Sequence, residues 1–258
     1  MKPTLLLVDD NEEILEFLEE ELGDKYTLLK ALNAEAALKL LQEESVQLII
    51  SDVMMPGMNG FEFCRLIKSD VESSHIPVIL LTAKNTLQSK IEGLEIGADA
   101  YIEKPFSPEY LQAQISNLLM NRSKIRDYFA ASPLVHIKSM AYSRADEHFL
   151  EALHDAIEKN IADTEFDVEK MARLMAMSRP TLYRKINAIS NLSPNELIHI
   201  TRLKKAAELL AGGNHRINEI IGLVGYQSQT NFTRSFQKQF GMTPTEYINL
   251  KQSERRQD

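Results

Sequence analysis

The feature that most constrains this chain is a set of short apolar runs that each end on a polar residue. Leu5-Leu6-Leu7-Val8 runs into Asp9 and Asp10, and Leu48-Ile49-Ile50-Ser51 into Asp52. Val78-Ile79-Leu80-Leu81 ends on Thr82, and Ala100-Tyr101-Ile102 on Glu103 and Lys104. Apolar runs without polar alternation suit strands buried on both faces. The segments between them have helical periodicity, so the strands should be parallel, with their carboxyl ends on one edge. In open α/β sheets ligands sit at that edge. Asp9, Asp10, Asp52, Thr82 and Lys104 therefore converge, and three carboxylates, a hydroxyl and an ammonium suit a divalent cation and a phosphoryl group.

The pattern predicts strands near 4–8, 26–30, 47–51, 77–81 and 99–103, and helices near 11–22, 34–43, 60–69, 86–95 and 107–120. About 120 residues of this kind build a doubly wound sheet with its own core. Asp9 and Asp10 are expected to bind a hard octahedral cation such as Mg²⁺ through oxygen. Asp52 completes the acidic cluster and is the expected nucleophile, since a carboxylate can take a phosphoryl group as a mixed anhydride. Lys104 can pair with the added phosphate, and Thr82 can donate a hydrogen bond to it.

Composition excludes several classes. The 258 residues suit two domains. The single cysteine, Cys64, rules out a disulfide framework and falls at helical spacing with Phe61 and Ile67, as a core filler would. No apolar run approaches the roughly 20 residues of a membrane span, and the N-terminus lacks the apolar region of a signal peptide. A cytoplasmic chain without membrane contact is expected. The net charge of −8 conceals an asymmetry. Residues 1–120 hold 9 Lys/Arg against 21 Asp/Glu, whereas residues 165–258 hold 14 against 9. An acidic front and a basic back suggest a regulatory module joined to a nucleic-acid reader.

Four blocks now carry a resemblance. Leu6-Leu7-Val8-Asp9-Asp10-Asn11-Glu12, Ser51-Asp52-Val53-Met54-Met55-Pro56-Gly57-Met58-Asn59-Gly60, Leu81-Thr82-Ala83 and Glu103-Lys104-Pro105-Phe106 arrive in order. Together they resemble the receiver domain of two-component response regulators, over about residues 3–120. The resemblance implies a flavodoxin-like five-stranded parallel sheet and phosphorylation of Asp52 by a histidine kinase. It further implies a Thr82/Tyr101 switch pair, a Met54 backbone carbonyl in the Mg²⁺ shell, and a cis Lys104–Pro105 peptide.

The back half shows two helix-turn-helix units. In the first, Val168, Met171, Ala172 and Met175 form a stripe, and Ala176-Met177-Ser178 turns the chain into a helix from Arg179 to Ile189. That helix should bury Leu182, Ile186 and Ile189 and expose Pro180, Arg184 and Asn187, flanked by Thr181, Tyr183 and Lys185. In the second, a helix from Asn218 to Val224 and the turn Gly225–Ser228 precede a helix from Gln229 to Phe240. Phe232, Phe236 and Phe240 should be buried, with Thr230, Arg234 and Gln237 outward and Asn231 and Lys238 beside them. A helix from about Pro194 to Ala211 joins the units, so two reading helices can enter successive major grooves roughly 34 Å apart.

The run from Gly225 to Tyr247, with Phe232, Arg234, Phe236, Phe240, Gly241 and Pro244 in place, resembles the signature of AraC-type DNA-binding domains. Ser178-Arg179-Pro180-Thr181-Leu182-Tyr183-Arg184-Lys185-Ile186 fits that family's first reading helix. By resemblance, Arg184 and Arg234 contact bases, Arg179 serves a phosphate, and Lys185 and Lys238 touch the DNA backbone. Pro180 stands where relatives commonly carry an apolar or aromatic side chain.

The expected organisation is a receiver at 1–120, a linker at 121–144 and a double helix-turn-helix domain at 145–258. The expected function is a phosphorylation-dependent transcription regulator, not an enzyme, that forms a homodimer on double-stranded DNA. Two alternatives stand beside it. Receiver, Ala131–Lys138 connector and AraC-type domain also resemble the C-terminal output part of hybrid histidine kinases. The other is a phosphorelay receiver whose helical domain docks proteins.

Overall fold

The computed structural model describes residues 2–83, 95–132 and 134–255, so the helix expected over 86–95 lies outside the described residues but for its last position. The chain forms two compact units, Met1–Ser123 with Tyr142–Asp146, and Lys124–Ala141 with Glu147–Asp258.

In the first unit β1 (Thr4–Val8), β2 (Thr27–Ala31), β3 (Leu48–Asp52), β4 (Val78–Thr82) and β5 (Ala100–Glu103) form one parallel sheet in the order β2-β1-β3-β4-β5. Period-two alternation sends the apolar runs to both faces. Leu5, Leu7, Leu48, Ile50, Ile79 and Leu81 pack with Leu15, Leu18 and Leu22 of α1 (Glu12–Leu22) and Leu111 and Ile115 of α4 (Pro108–Ala131). Leu6, Val8, Ile49, Val78 and Leu80 pack against α2 (Ala34–Glu43) and α3 (Gly60–Ser69), where Phe63, Cys64 and Ile67 are buried. Cys64 is thus the core filler its spacing predicts.

Asparagines start the helices next to the ligand edge. The Asn11 side chain accepts from the Glu13 N–H, and Asn59 and Glu62 form a reciprocal capping box at α3. At the opposite edge, Arg122 pairs with Asp99 and lies 4.1 Å over the Tyr142 ring. The Ser74 hydroxyl donates to Asp146 at 2.8 Å, which ties residues 142–146 to this unit.

The second unit is helical: α5 (Arg144–Lys159), α6 (Val168–Leu174), α7 (Arg179–Ser190), α8 (Pro194–Gly212), α9 (Ile217–Leu223), α10 (Gln229–Phe240) and α11 (Pro244–Glu254). Helix α8 is a spine shared by two cores. Leu197, Ile198 and Ile200 near its start pack with α5, α6 and α7, and Leu203, Ala206, Ala207 and Leu210 pack with α9, α10 and α11.

The segment between the expected domains is packed chain. Helix α4 runs on to Ala131, and Phe129, Ile137 and Met140 join the core of Leu153, Leu182 and Leu197. The Lys204 ammonium then donates to the Phe129 carbonyl at 2.8 Å, the Val135 carbonyl at 3.2 Å and the Ser132 carbonyl. Of these, the Phe129 carbonyl belongs to the last turn of α4, where carbonyls have no partner within the helix, and the other two lie in the chain that follows it.

Candidate functional site

Three parallel strands deliver the first set of residues to one edge. Asp9 follows β1, Asp52 ends β3 and Lys104 follows β5. The Lys104 ammonium lies 2.8 Å from Asp9 Oδ2 and 2.7 Å from Asp52 Oδ1, so one cation bridges two carboxylates. Both are buried, at 3% and 5% exposure, and buried anions persist only when paired or hydrogen-bonded. Burial pulls the Lys104 pKa down, but bonding to Asp52 and Asp9 outweighs it, and the ammonium is held above its usual range. The other Asp52 oxygen accepts from the Met54 N–H at 2.6 Å, and Asp9 Oδ1 accepts from the Asn11 N–H at 3.0 Å. Lys104–Pro105 is cis, as the resemblance implies.

Gly60, which the sequence reading places only as a motif residue, has a steric role here. A Cβ at Gly60 would stand 2.2 Å from the Asp52 carbonyl oxygen. Its N–H donates to the Val53 carbonyl at 3.0 Å, which folds the loop after Asp52 back onto α3.

Thr82 is buried at the end of β4, on the same sheet face as Leu80. Tyr101 is half-buried on that face, its ring stacked on Phe61 with centroids 6.4 Å apart. Asp10 is exposed. Among the described residues no three His, Cys, Asp or Glu side chains gather as a metal cluster. The donor set nevertheless suits a hard cation, because Asp9, Asp52 and the adjacent Asp10 offer only carboxylate oxygen.

The second set lies on α7 and α10. The Ser178 and Ser228 hydroxyls cap these helices, accepting from the Thr181 and Asn231 N–H groups. On α7, Leu182, Ile186 and Ile189 are buried, while Arg179, Pro180, Arg184 and Asn187 are exposed and Thr181 is half-buried. On α10, Phe232 and Phe236 are buried, and Thr230, Asn231, Arg234, Gln237 and Lys238 are exposed. Phe240 is half-buried and meets Phe236 edge-on at 4.9 Å.

Lys185 departs from the expectation. It is 2% exposed, with its ammonium 5.6 Å from the Phe149 ring centroid, and so does not present itself to a DNA backbone. Its Cα lies one turn before Ile189 and three residues after Leu182, on the buried stripe of α7.

Residues 5–116 match the family model of the response regulator receiver domain, and residues 171–249 match that of a helix-turn-helix domain. The chain joins a response regulator receiver domain to an AraC-type helix-turn-helix domain.

Histidine kinase P4 of Formosa agariphila is 41% identical over 248 residues, covering 96% of this chain and 18% of that protein. The probable transcriptional regulator ycf27 of Cyanidium caldarium is 44% identical over 116 residues, 45% of each chain. This chain thus spans less than half the length of these two curated relatives. The response regulator DrrB, a Thermotoga maritima OmpR/PhoB homolog, is 36% identical over 47% of this chain and 54% of its own, with a TM-score of 0.44. No described helix is long and apolar enough to cross a membrane.

Beyond Gly60, the helix-turn-helix domain holds polar residues that the sequence reading does not single out. His199 and Arg202 project from α8 beside the turn before α10, and Arg202 donates to the Asp163 carbonyl at 2.6 Å. On a long amphipathic helix such residues read as solvated. Their spacing of three, which puts both on one face, is the only signal that sets them apart.

Proposed function

We propose that this chain is a phosphorylation-dependent DNA-binding transcription regulator of a two-component system. The observation that carries the reading is the Lys104 bridge between Asp9 and Asp52, in a chain whose other half presents two capped helices with exposed arginines. Asp52 is the phosphoacceptor. Its carboxylate forms an O–P bond as the N–P bond of a phosphohistidine on the kinase breaks, and the departing imidazole takes a proton. Asp9, Asp10, Asp52 and the Met54 carbonyl would hold Mg²⁺, which when bound offsets the repulsion between anionic nucleophile and anionic donor.

Lys104 loses a carboxylate partner when Asp52 becomes the mixed anhydride and gains a phosphoryl oxygen. Thr82, at the end of the neighbouring strand, donates its hydroxyl to the same group, and Tyr101 moves with it. The added charge of about −1.5 to −2 biases the receiver between two states only as far as those states differ in contacts to it. The favoured state pairs two receivers and sets two reading domains on repeated half-sites of double-stranded DNA in the cytoplasm. Arg184 and Arg234 read guanine edges, Pro180, Thr181, Asn187, Thr230, Asn231 and Gln237 complete the reading faces, Arg179 serves a phosphate and Lys238 contacts the backbone.

The test is DNA binding at one fixed salt concentration to operators selected from a random pool. Wild type and Asp52→Ala are compared with and without Mg²⁺ and a phosphoryl mimic. Tighter or more cooperative binding by activated wild type alone is the expected result. Identical specific binding in every condition would remove the switch, and no specific binding would favour a protein-docking role for the helical domain.

A second reading is favoured by one observation. The alignment to histidine kinase P4 covers 96% of this chain, both units included. On that reading the chain is the receiver and output part of a hybrid sensor kinase, and its phosphoryl donor belongs to the same polypeptide. An antibody against the helix-turn-helix domain decides between them, by detecting in native cells either a 258-residue product or a much longer one.

A further inference from the structure

A groove of about 510 Å³ opens between α8 and the start of α10, walled by His199, Arg202, Tyr226, Ser228, Asn231 and Arg234. None of its described lining residues is acidic. Asn231 and Arg234 also belong to the exposed face of α10, so the groove opens beside the second reading helix. The Arg202 guanidinium is only partly satisfied. One terminal nitrogen donates to the Asp163 carbonyl at 2.6 Å, whereas the buried Nε has no hydrogen-bond partner among the described residues.

The turn is shaped around that guanidinium. Gly225 has φ +74, and a Cβ there would stand 3.1 Å from Arg202 Cζ and 2.5 Å from the Ile161 carbonyl oxygen. A glycine is needed for the close approach as well as for the left-handed backbone. His199 completes the wall, with Nε2 3.1 Å from the Tyr226 hydroxyl and 3.4 Å from the Ser235 hydroxyl. Burial pushes the Tyr226 phenol up to about 12, which keeps it a donor at every physiological pH.

We infer that this groove is a phosphate pocket that takes one DNA backbone phosphodiester beside the second reading helix. The inference rests on the DNA-binding reading and assigns that site a residue set beyond the reading faces themselves. A wall of guanidinium, imidazole, hydroxyl and amide donors matches a phosphodiester's anionic oxygens, and such contacts fix a reader's register on the duplex.

The environment of His199 adds a signature. Burial, then the Arg202 and Lys238 charges, hold its imidazole below the usual range in the free chain. Arg234 lines the groove from α10, Arg202 from α8 and Tyr226 from the turn, while Lys238 of α10 acts on the ring from outside that lining. The Arg202 and Lys238 charges are the ones that lower it, with the Glu196 carboxylate one turn earlier on α8 also set against Lys238, so an arriving phosphodiester opposes the positive field and raises the imidazole pKa. DNA binding then takes up a proton, and affinity rises as pH falls.

Full-length wild type, His199→Gln and Arg202→Gln are titrated with DNA selected from a random pool, across salt concentrations and from about pH 7.5 to about pH 6. Wild type is expected to tighten by roughly 3- to 10-fold at the lower pH, His199→Gln to lose that dependence, and Arg202→Gln to lower the salt slope by about one. Arg202 also holds the Asp163 carbonyl, so His199→Gln carries the test if Arg202→Gln melts early. A His199→Gln profile superimposing on wild type in both pH and salt would overturn the pocket. Inorganic phosphate binding to the free chain, lost in His199→Gln while DNA binding is unchanged, would reassign the groove to a free anion and overturn it as well. Absence of selective DNA binding by wild type at any pH would instead overturn the DNA-binding reading, and the pocket with it.

Discussion

Lys104 Nζ stands 2.7 Å from Asp52 Oδ1, and this pair is as much a structural element as a chemical one. Removing the ammonium leaves Asp52 and Asp9 as two buried carboxylates with no counter-charge bonded to them among the described residues. Lys104→Met should therefore destabilise the receiver by about 2–4 kcal/mol, a little under the roughly 3–5 kcal/mol for breaking a fully buried pair because the Lys104 side chain is partly exposed. Because the folded chain holds this ammonium above its usual pKa, the contribution is complete below the ordinary lysine value of about 10.4 and fades only above it. Denaturant midpoints of the two proteins should differ by a constant amount from neutral pH to about pH 10 and converge beyond. A gap that closes before then would place the stabilisation elsewhere.

Gly60→Ala sets two effects against each other. Alanine in a helix normally gains about 1 kcal/mol over glycine. Here its Cβ would meet the Asp52 carbonyl oxygen at 2.2 Å and Val53 Cα at 2.8 Å, both backbone atoms that cannot swing aside. Overpacking of this kind costs about 1–3 kcal/mol, so the clash wins and the variant is less stable. The displaced backbone is that of the expected phosphoacceptor, so labelling of Asp52 by a phosphoryl donor should slow as well. A variant as stable as wild type, labelled at the same rate, would show that the loop adapts freely.

On α7 and α10, two lysines with the same expected role should behave differently. Lys238 is exposed, and Lys238→Ala should lower the slope of log K against log salt by about 0.9, one phosphate's worth. Lys185 is 2% exposed against Phe149, and Lys185→Met should leave that slope unchanged. Equal losses of salt slope in the two variants would show that Lys185 emerges to meet DNA.

These cases mark how far the sequence could be read. Buried parallel strands announce themselves, because apolar runs such as Leu5–Val8 and Val78–Leu81 must face two layers at once. The polar residue ending each run then has one place to go, which is why Asp9, Asp52, Thr82 and Lys104 were legible at the edge of the sheet. Lys185 was not, because at the edge of a helical stripe a long side chain buries or surfaces according to what packs above it, here Phe149. Phe129, Ile137 and Met140 lie in a segment with no sustained period, so their burial follows from neighbours distant in sequence. Gly60 and Gly225 look like ordinary turn or cap glycines until the atoms a side chain would strike are known.

Lys204 joins the end of α4 to α8, and its titration offers a direct check of that junction. Its ammonium donates to the Phe129, Ser132 and Val135 carbonyls and lies 4.3 Å from the Phe129 ring centroid. Lys204→Met strips those carbonyls of their donor and should cost about 1–3 kcal/mol at neutral pH. Burial pushes the Lys204 pKa down to about 8, against about 10.4 in an unfolded chain. Between those values the unfolded chain holds a proton that the folded chain has shed, so stability rises with pH across the window. The side chain is only partly buried, which limits the gain to on the order of 1 kcal/mol. Unfolding midpoints of wild type and Lys204→Met, followed from about pH 7.5 to about pH 10, should show wild type gaining on the variant. A difference independent of pH would mean that the three carbonyl bonds fully offset the burial and hold the ammonium at an ordinary pKa.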